Sequence, residues 1–283
     1  MSLYRLDEPV ELVAPILVVA FDGWVDAGSA ATTAAANLAE GGEVIARFAD
    51  DRLYDYRARR PTLEIQNGHP ATLTWPELLL RRRQAGPRDL LVLAGPEPDY
   101  RWRELAGAAV ELARRLRVAE WISLGAIPAA VPHTRPVTIL GTESRPGLLR
   151  GSVRPGPEGV LTVPAPAISV LDFAVAEAGL ATVGYFAQIP HYVTGPYPAA
   201  AVELLRLVGL HLDEDLVPGG LREEAVELRT RLDAAAAANE TTRLYVERLE
   251  GMVDEARLPA GDDLIADIER FLRERGGEGR GRS

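Results

Sequence analysis

The chain contains no cysteine. Disulfides, thiolate nucleophiles and cysteine-ligated zinc or iron–sulfur centres are thereby excluded. Lysine is absent too, so all 31 basic side chains are arginines. Lysine supplies the usual Schiff-base amine and the P-loop phosphate ligand, whereas arginine carries the charge without being a nucleophile. Lysine-dependent aldolases, pyridoxal-phosphate enzymes and Walker-type ATPases are ruled out on that ground. Positive charge is in deficit: 41 acidic residues leave a net charge of −10 over 283 residues. Such a chain is a poor ligand for nucleic acid or for an anionic lipid surface. Its densest basic spots, Arg59-Arg60 and Arg81-Arg82-Arg83, are too short to make a nucleic-acid footprint. Long hydrophobic runs are missing as well. Ile16–Phe21, the first apolar run, is far too short to span a bilayer or to serve as a signal-peptide core. The expectation is a cytoplasmic protein with no membrane and no nucleic-acid partner.

What is present reads as an ordinary globular composition, 47% hydrophobic and 25% charged, long enough to bury a substantial core. Through the first two-thirds, short apolar runs alternate with helical patterns. Ile16–Phe21 reads as a strand buried on both faces, Ser29–Glu40 as an alanine-dominated helix stopped by Gly41-Gly42, and Glu43–Phe48 as a second strand. That βαβ unit calls for a parallel sheet and a right-handed crossover. Leu53–Asn67 reads as a hairpin leaving the main sheet. Trp75–Gln84 has a helical look, with Thr74 as N-cap and Pro76 early in the helix. Further strands are expected at Asp89–Ala94, Glu120–Ile127 and Thr182–Ile189, and further helices at Arg101–Arg117, Ile168–Gly179 and Ala199–Val208. Residues 128–166, rich in proline and glycine, are expected to form long connections. The alternation argues for an α/β fold, a three-layer α/β/α sandwich.

From Leu221 the pattern changes to a 4-3-4-3 apolar spacing that continues to Ala256. It fits one helix of roughly 50 Å, or a hairpin of two helices broken near Asn239, where the seam turns polar. Such a seam packs on its own domain or joins subunits as a coiled-coil arm. After Pro259 a last amphipathic helix is expected, with Leu264, Ile265, Ile268, Phe271 and Leu272 on its apolar face. The expected division is a core at 1–215, a C-terminal helical extension at 216–275 and a disordered tail at 276–283.

In an open parallel sheet, ligands bind beyond the carboxyl ends of the strands. Candidate site residues are therefore the polar groups that follow each expected strand. Asp22, Trp24 and Asp26 follow the first, and Glu97, Asp99 and Arg101 follow Asp89–Ala94. His133 and Arg135 lie beyond Glu120–Ile127, and His191 with Tyr192 follows the last strand. Gathered in one crevice, Asp22, Glu97 or His191 would move a proton and Arg101 or Arg135 would hold an anion. Each has a plainer counterpart as a turn, a helix cap, an ion pair or a structural hydrogen bond. His69 and His211 look like surface or cap positions. No dinucleotide fingerprint, serine-hydrolase elbow or zinc motif is present. Asp22 and Asp26 alone make no case for a metal, and no cofactor is expected.

Several motifs carry a resemblance in the right order: Phe21-Asp-Gly-Trp-Val-Asp-Ala-Gly28, Gly95-Pro-Glu-Pro-Asp-Tyr-Arg-Trp102, Val131-Pro-His-Thr-Arg-Pro136, Gln188-Ile-Pro-His-Tyr-Val193 and Tyr197-Pro-Ala-Ala-Ala201. Over residues 10–215 the chain resembles the proteasome assembly chaperone 2 family in its actinobacterial form. The segment Leu258-Pro…Asp262-Asp-Leu-Ile…Glu269-Arg-Phe271 resembles the helical tail of those members. The resemblance implies a nucleoside-phosphorylase-like sandwich around a mixed, mostly parallel sheet. It also implies self-association, with trimers among the forms, and a chaperone role in building the proteasome α-ring in the eukaryotic relatives. It supplies no agreed catalytic residues. Two functional expectations follow. One is a non-enzymatic scaffold or assembly chaperone, with proteasome subunits or another protein as client. The alternative is a phosphorylase- or hydrolase-like enzyme, or a small-anion binder, using the cleft at the strand ends.

Overall fold

The computed structural model describes residues 2–7, 11–157 and 159–257. The strands are β1 (Tyr4–Leu6), β2 (Ile16–Asp22), β3 (Glu43–Phe48), β4 (Thr62–Gln66), β5 (His69–Thr74), β6 (Leu79–Ala85), β7 (Arg88–Pro96), β8 (Glu120–Ala129), β9 (Ile139–Glu143) and β10 (Thr182–Pro190). The helices are α1 (Ala30–Ala39), α2 (Asp50–Leu53), α3 (Trp102–Arg115), α4 (Ala167–Glu177), α5 (Pro198–Leu212), α6 (Gly219–Ala237) and α7 (Glu240–Arg257).

Eight strands form one sheet in the order β1-β3-β6-β7-β2-β8-β10-β9. Its centre, β7-β2-β8-β10, is parallel, and the pairs outside it are antiparallel. Because successive strand side chains point to opposite faces, β2 feeds two cores. Leu17, Val19 and Phe21 pack with buried residues of α3 and α4. Ile16, Val18 and Ala20 pack with those of α1 and α5. The outcome is the three-layer α/β/α sandwich around a mostly parallel mixed sheet. On the α1 side, small residues (Ala30, Ala31, Ala34, Ala35) bring the helix close to the sheet, and Leu38 fills the gap at its end.

Four local expectations are corrected. The segment 75–84 is not a helix: Leu79–Ala85 is β6, paired to β3 and β7. Its run of leucines and arginines has good helix propensity, but two neighbouring strand edges and a buried slot for Leu80 override it. The strands β2 and β3 are not neighbours, since β6 and β7 lie between them. The excursion hairpin is β4–β5, reaching Thr74, and Asp50–Leu53 is a short helix. His211 is buried, at 7% exposure, rather than on the surface.

The 221–256 pattern resolves into two helices. Asn239 lies between them, and its side-chain oxygen accepts the Thr242 N–H at 3.0 Å as an N-cap. The expected helix around 264–272 and the tail 276–283 lie outside the described residues. No described helix is long and apolar enough to cross a membrane.

Candidate functional site

The strand ends carry two groups of candidates, and the structure keeps them apart in role. The first surrounds the ends of β2 and β7. Gly23 sits at φ +145, and a Cβ there would lie 2.9 Å from Glu97 Cβ, so only glycine fits both the turn and the close approach. Glu97 reaches across this turn. One carboxylate oxygen accepts the Trp24 backbone N–H at 3.2 Å, and the other accepts the Ala167 N–H at 2.8 Å, at the start of α4. Asp26 caps α1, its Oδ1 accepting the Ala31 and Thr32 N–H groups at 2.8 and 3.2 Å and its Oδ2 the Thr32 hydroxyl at 2.5 Å. Burial pushes the Asp26 carboxyl above its ordinary range.

Arg59 is the residue that the sequence reading missed. It pairs with Asp22 at 2.8 Å and approaches Asp99 at 3.9 Å, while Asp99 also accepts the Asp55 N–H at 2.8 Å. Arg59 precedes β4 rather than following a strand of the main sheet, and only the fold brings it here. Arg101 does not join the group. It adopts φ +60 before α3 and pairs with Glu104 at 2.8 Å. Trp24 is 71% exposed.

The second group lies past β8 and β10, and it grips the α6–α7 hairpin. Arg135 makes a bidentate pair with Asp254, at 3.0 and 2.7 Å, and meets Glu250 at 3.2 Å. Those acids hold the Arg135 guanidinium above its usual value. His133 is enclosed: Nδ1 lies 2.7 Å from the Tyr192 hydroxyl and Nε2 3.2 Å from Asp233. Burial is the main reason its pKa is lowered. Arg229 of α6 donates to the His133 carbonyl at 2.9 Å. His191 has one ring nitrogen 3.0 Å from the Ala129 carbonyl and the other 3.0 Å from the Tyr245 hydroxyl. Thr134 donates to Glu250.

Every charged or imidazole candidate therefore has a partner. Glu97 and Asp26 accept backbone N–H groups, Arg135 is held by two acids, and both histidines are bonded through both nitrogens. Chemically, the arrangement fixes loops and docks a helical hairpin. Among the described residues no cluster of three His, Asp or Glu side chains is placed to hold a metal ion. Glu97→Ala is expected to cost about 2 kcal/mol in urea unfolding, since two backbone donors lose a charged acceptor. A loss under about 0.5 kcal/mol would show that Glu97 does not tie the turn to α4.

The profile of the PAC2 family matches residues 20–236. The chain belongs to the PAC2 family. Among solved structures it is similar to a protein of unknown function from Corynebacterium glutamicum, with 31% identity, a TM-score of 0.83 and coverage of 90% of this chain and 98% of that one. It is similar to a proteasome-assembly chaperone homologue of Mycobacterium tuberculosis at 32% identity and TM-score 0.74, covering 82% of this chain and 99% of that one. A PAC2 family protein from Streptomyces avermitilis matches at 35% identity and TM-score 0.72, over 82% of this chain and 99% of that one. No curated protein matches. In this PAC2 protein the motif Gly95–Trp102 is built around Glu97 and the Trp102 indole, which donates to the Pro98 carbonyl at 2.6 Å. The motif Val131–Pro136 is the surface that receives α6 and α7.

Proposed function

We propose that this PAC2 protein is a non-enzymatic assembly factor, a self-associating scaffold with a chaperone-like role toward protein partners. Proteasome components are the partner class that the family favours. The observation that carries the reading is the β4–β5 hairpin. Every one of its strand residues is exposed. Leu63 stands opposite Leu73, and Ile65 opposite Pro70, so the strand period gathers the apolar groups on one face. Leu63, Ile65 and Leu73 are 50%, 60% and 51% exposed. A lone two-stranded hairpin is marginal in water, and an uncovered apolar face of this kind marks a protein contact. A second copy of the chain is the occupant, because the same fold leaves a second apolar surface bare: Val160, Leu161 and Val163 before α4, and Phe173 on it. Two different apolar patches that meet between copies make a head-to-tail contact, which gives a ring when its rotation closes. The phosphorylase-like alternative has less support, because the acids, arginines and histidines at the strand ends are engaged with one another.

Size-exclusion chromatography with light scattering tests self-association. The wild type is expected to run as a closed oligomer, and the variant Leu63→Ser/Ile65→Ser/Leu73→Ser as a monomer with an unchanged far-ultraviolet circular dichroism spectrum. A monomeric wild type at micromolar concentration would remove this basis. Native pull-down tests the client: recovery of proteasome subunits supports the chaperone role, and recovery of no protein counts against it.

A further inference from the structure

A cleft lies away from the α6–α7 hairpin. It holds about 570 Å³ between α1 and the strands β6 and β7, within the size range of small-molecule sites. Alanines of α1 (Ala36, Ala39) form its wall, and Leu79, Val92 and Ala94 form its floor. Asp22 and Asp26 stand at one end and Arg81 at the other.

The three consecutive arginines of β6 are not equivalent. Arg82 points to the α3 face, where it pairs with Asp89 at 2.8 Å and Glu43 at 3.1 Å. Arg81 lies opposite Val92 on the α1 face. Its guanidinium donates to the Gly42 carbonyl at 3.4 Å, a weak bond, and among the described residues no carboxylate pairs with it. A half-buried guanidinium on an apolar floor, with no carboxylate in ion-pair contact among the described residues, is ready for a planar anion. The register sets the length of the cleft. Val92 faces Arg81 and Pro96 pairs with Asp22, so the two ends are four residues apart on β7, or about 13 Å.

We propose that this cleft binds a small organic carboxylate with an apolar body, its acid on Arg81 and a hydrogen-bond donor, hydroxyl or ammonium, directed toward Asp22, whose Oδ1 is held by Arg59 and whose Oδ2 faces the cleft end. One guanidinium matches one negative charge. At the far end Arg59 is already held by Asp22 and Asp99, so the second charge of a dianion such as a phosphate ester or a dicarboxylate meets no free cation there. This site is independent of the proposed scaffold role, and its test reads small-molecule binding alone.

The probe is 8-aminooctanoate, titrated calorimetrically into the full chain and compared with octylamine, which lacks the acid, and suberate, which carries two. The amino acid is expected to bind at millimolar concentration, and the other two at least tenfold more weakly. Arg81→Met and Ala36→Leu, which fills the cleft from the exposed side of α1, are each expected to weaken binding at least tenfold. Ala36→Leu serves as the second arm if Arg81→Met loses its fold. Absence of binding by 8-aminooctanoate overturns the proposal. So does octylamine or suberate binding equally well, or unchanged affinity in the Ala36→Leu protein.

Discussion

Asp172→Asn is expected to make the protein more stable at pH 8 by up to about 4 kcal/mol, and to leave it nearly unchanged at pH 4. The carboxyl of Asp172 is enclosed beneath α4, where one oxygen accepts the Trp121 indole N–H at 2.8 Å and the Ser123 hydroxyl. Trp121 and Ser123 are fully buried, and no cation pairs with the acid there among the described residues. Burial pushes its pKa from 3.8 up to about 7, against the two hydrogen bonds, which favour the charged form. The native state therefore holds the proton more tightly than the unfolded chain. Stability from this group is complete below pH 3.8 and declines as pH rises toward 7, after which both states are ionised and the decline stops. About 3 pH units at 1.36 kcal/mol each give the stated size. Asparagine keeps the acceptor for both donors and has no charge to bury. Asp50, raised to about 6 by its own burial, adds to the wild-type curve but cancels in the difference. Urea unfolding at several pH values measures it. A difference that stays constant between pH 4 and 8 would show that Asp172 is ionised throughout.

The parts of the fold that could be read from the sequence are those governed by local pattern. Ile16–Phe21 is apolar at every position because both of its faces are covered, and that signal is unmistakable. Trp102–Arg115 shows a clean amphipathic stripe, with Leu105, Ala109 and Leu112 buried on one side. Asn239, a polar residue in an apolar seam, marks where a break could fall but leaves one long helix equally open, and the structure decides for two. The segment 79–85 could not be read in this way. Leu80 is buried on one face while Arg81 and Arg83 alternate on the other, and a leucine- and arginine-rich run has the same composition as a helix. The site shows the same division. The positions after the strands were legible, so Asp22, Glu97, His133 and His191 were named. Their partners were not, because Arg59, Asp233, Tyr245 and Asp254 come from distant segments. Pairing also changes the meaning of the named residues. Glu97 with a free carboxylate would be a candidate base, whereas Glu97 accepting two backbone N–H groups is a brace. Arg135 held by Asp254 and Glu250 is a dock for a helix rather than an anion site.

Glu120→Ala is expected to cost about 2–3 kcal/mol, because it strands the buried His211 ring and the Arg88 guanidinium of a partly exposed ionic cluster. Glu120 opens β8 at the end of the sheet opposite the candidate site. One oxygen lies 2.7 Å from His211 Nδ1, and the other accepts from Arg88 at 3.1 Å. Arg88 also donates to the carbonyls of Ala14 and His211, at 2.8 and 3.2 Å. The second nitrogen of His211 is 2.8 Å from the buried Tyr185 hydroxyl, which accepts the Arg150 N–H at 2.9 Å. The cluster thus joins β7, β8, β10 and α5 through one carboxylate. The His211 contact, aided by Arg88, holds the Glu120 carboxyl down from 4.5 to about 2. A depressed carboxyl contributes stability above its unfolded value of 4.5, and that stability is lost as pH falls toward 2. With a side chain 21% exposed, solvent screening reduces the contribution to about 2 kcal/mol. Glu120→Gln separates charge from shape: its deficit is expected at pH 7 and should shrink steadily below pH 4.5, as the wild-type carboxyl takes up its proton. If the Gln deficit is equally large at pH 3, Glu120 acts as a spacer rather than as the anion on which His211 and Arg88 converge.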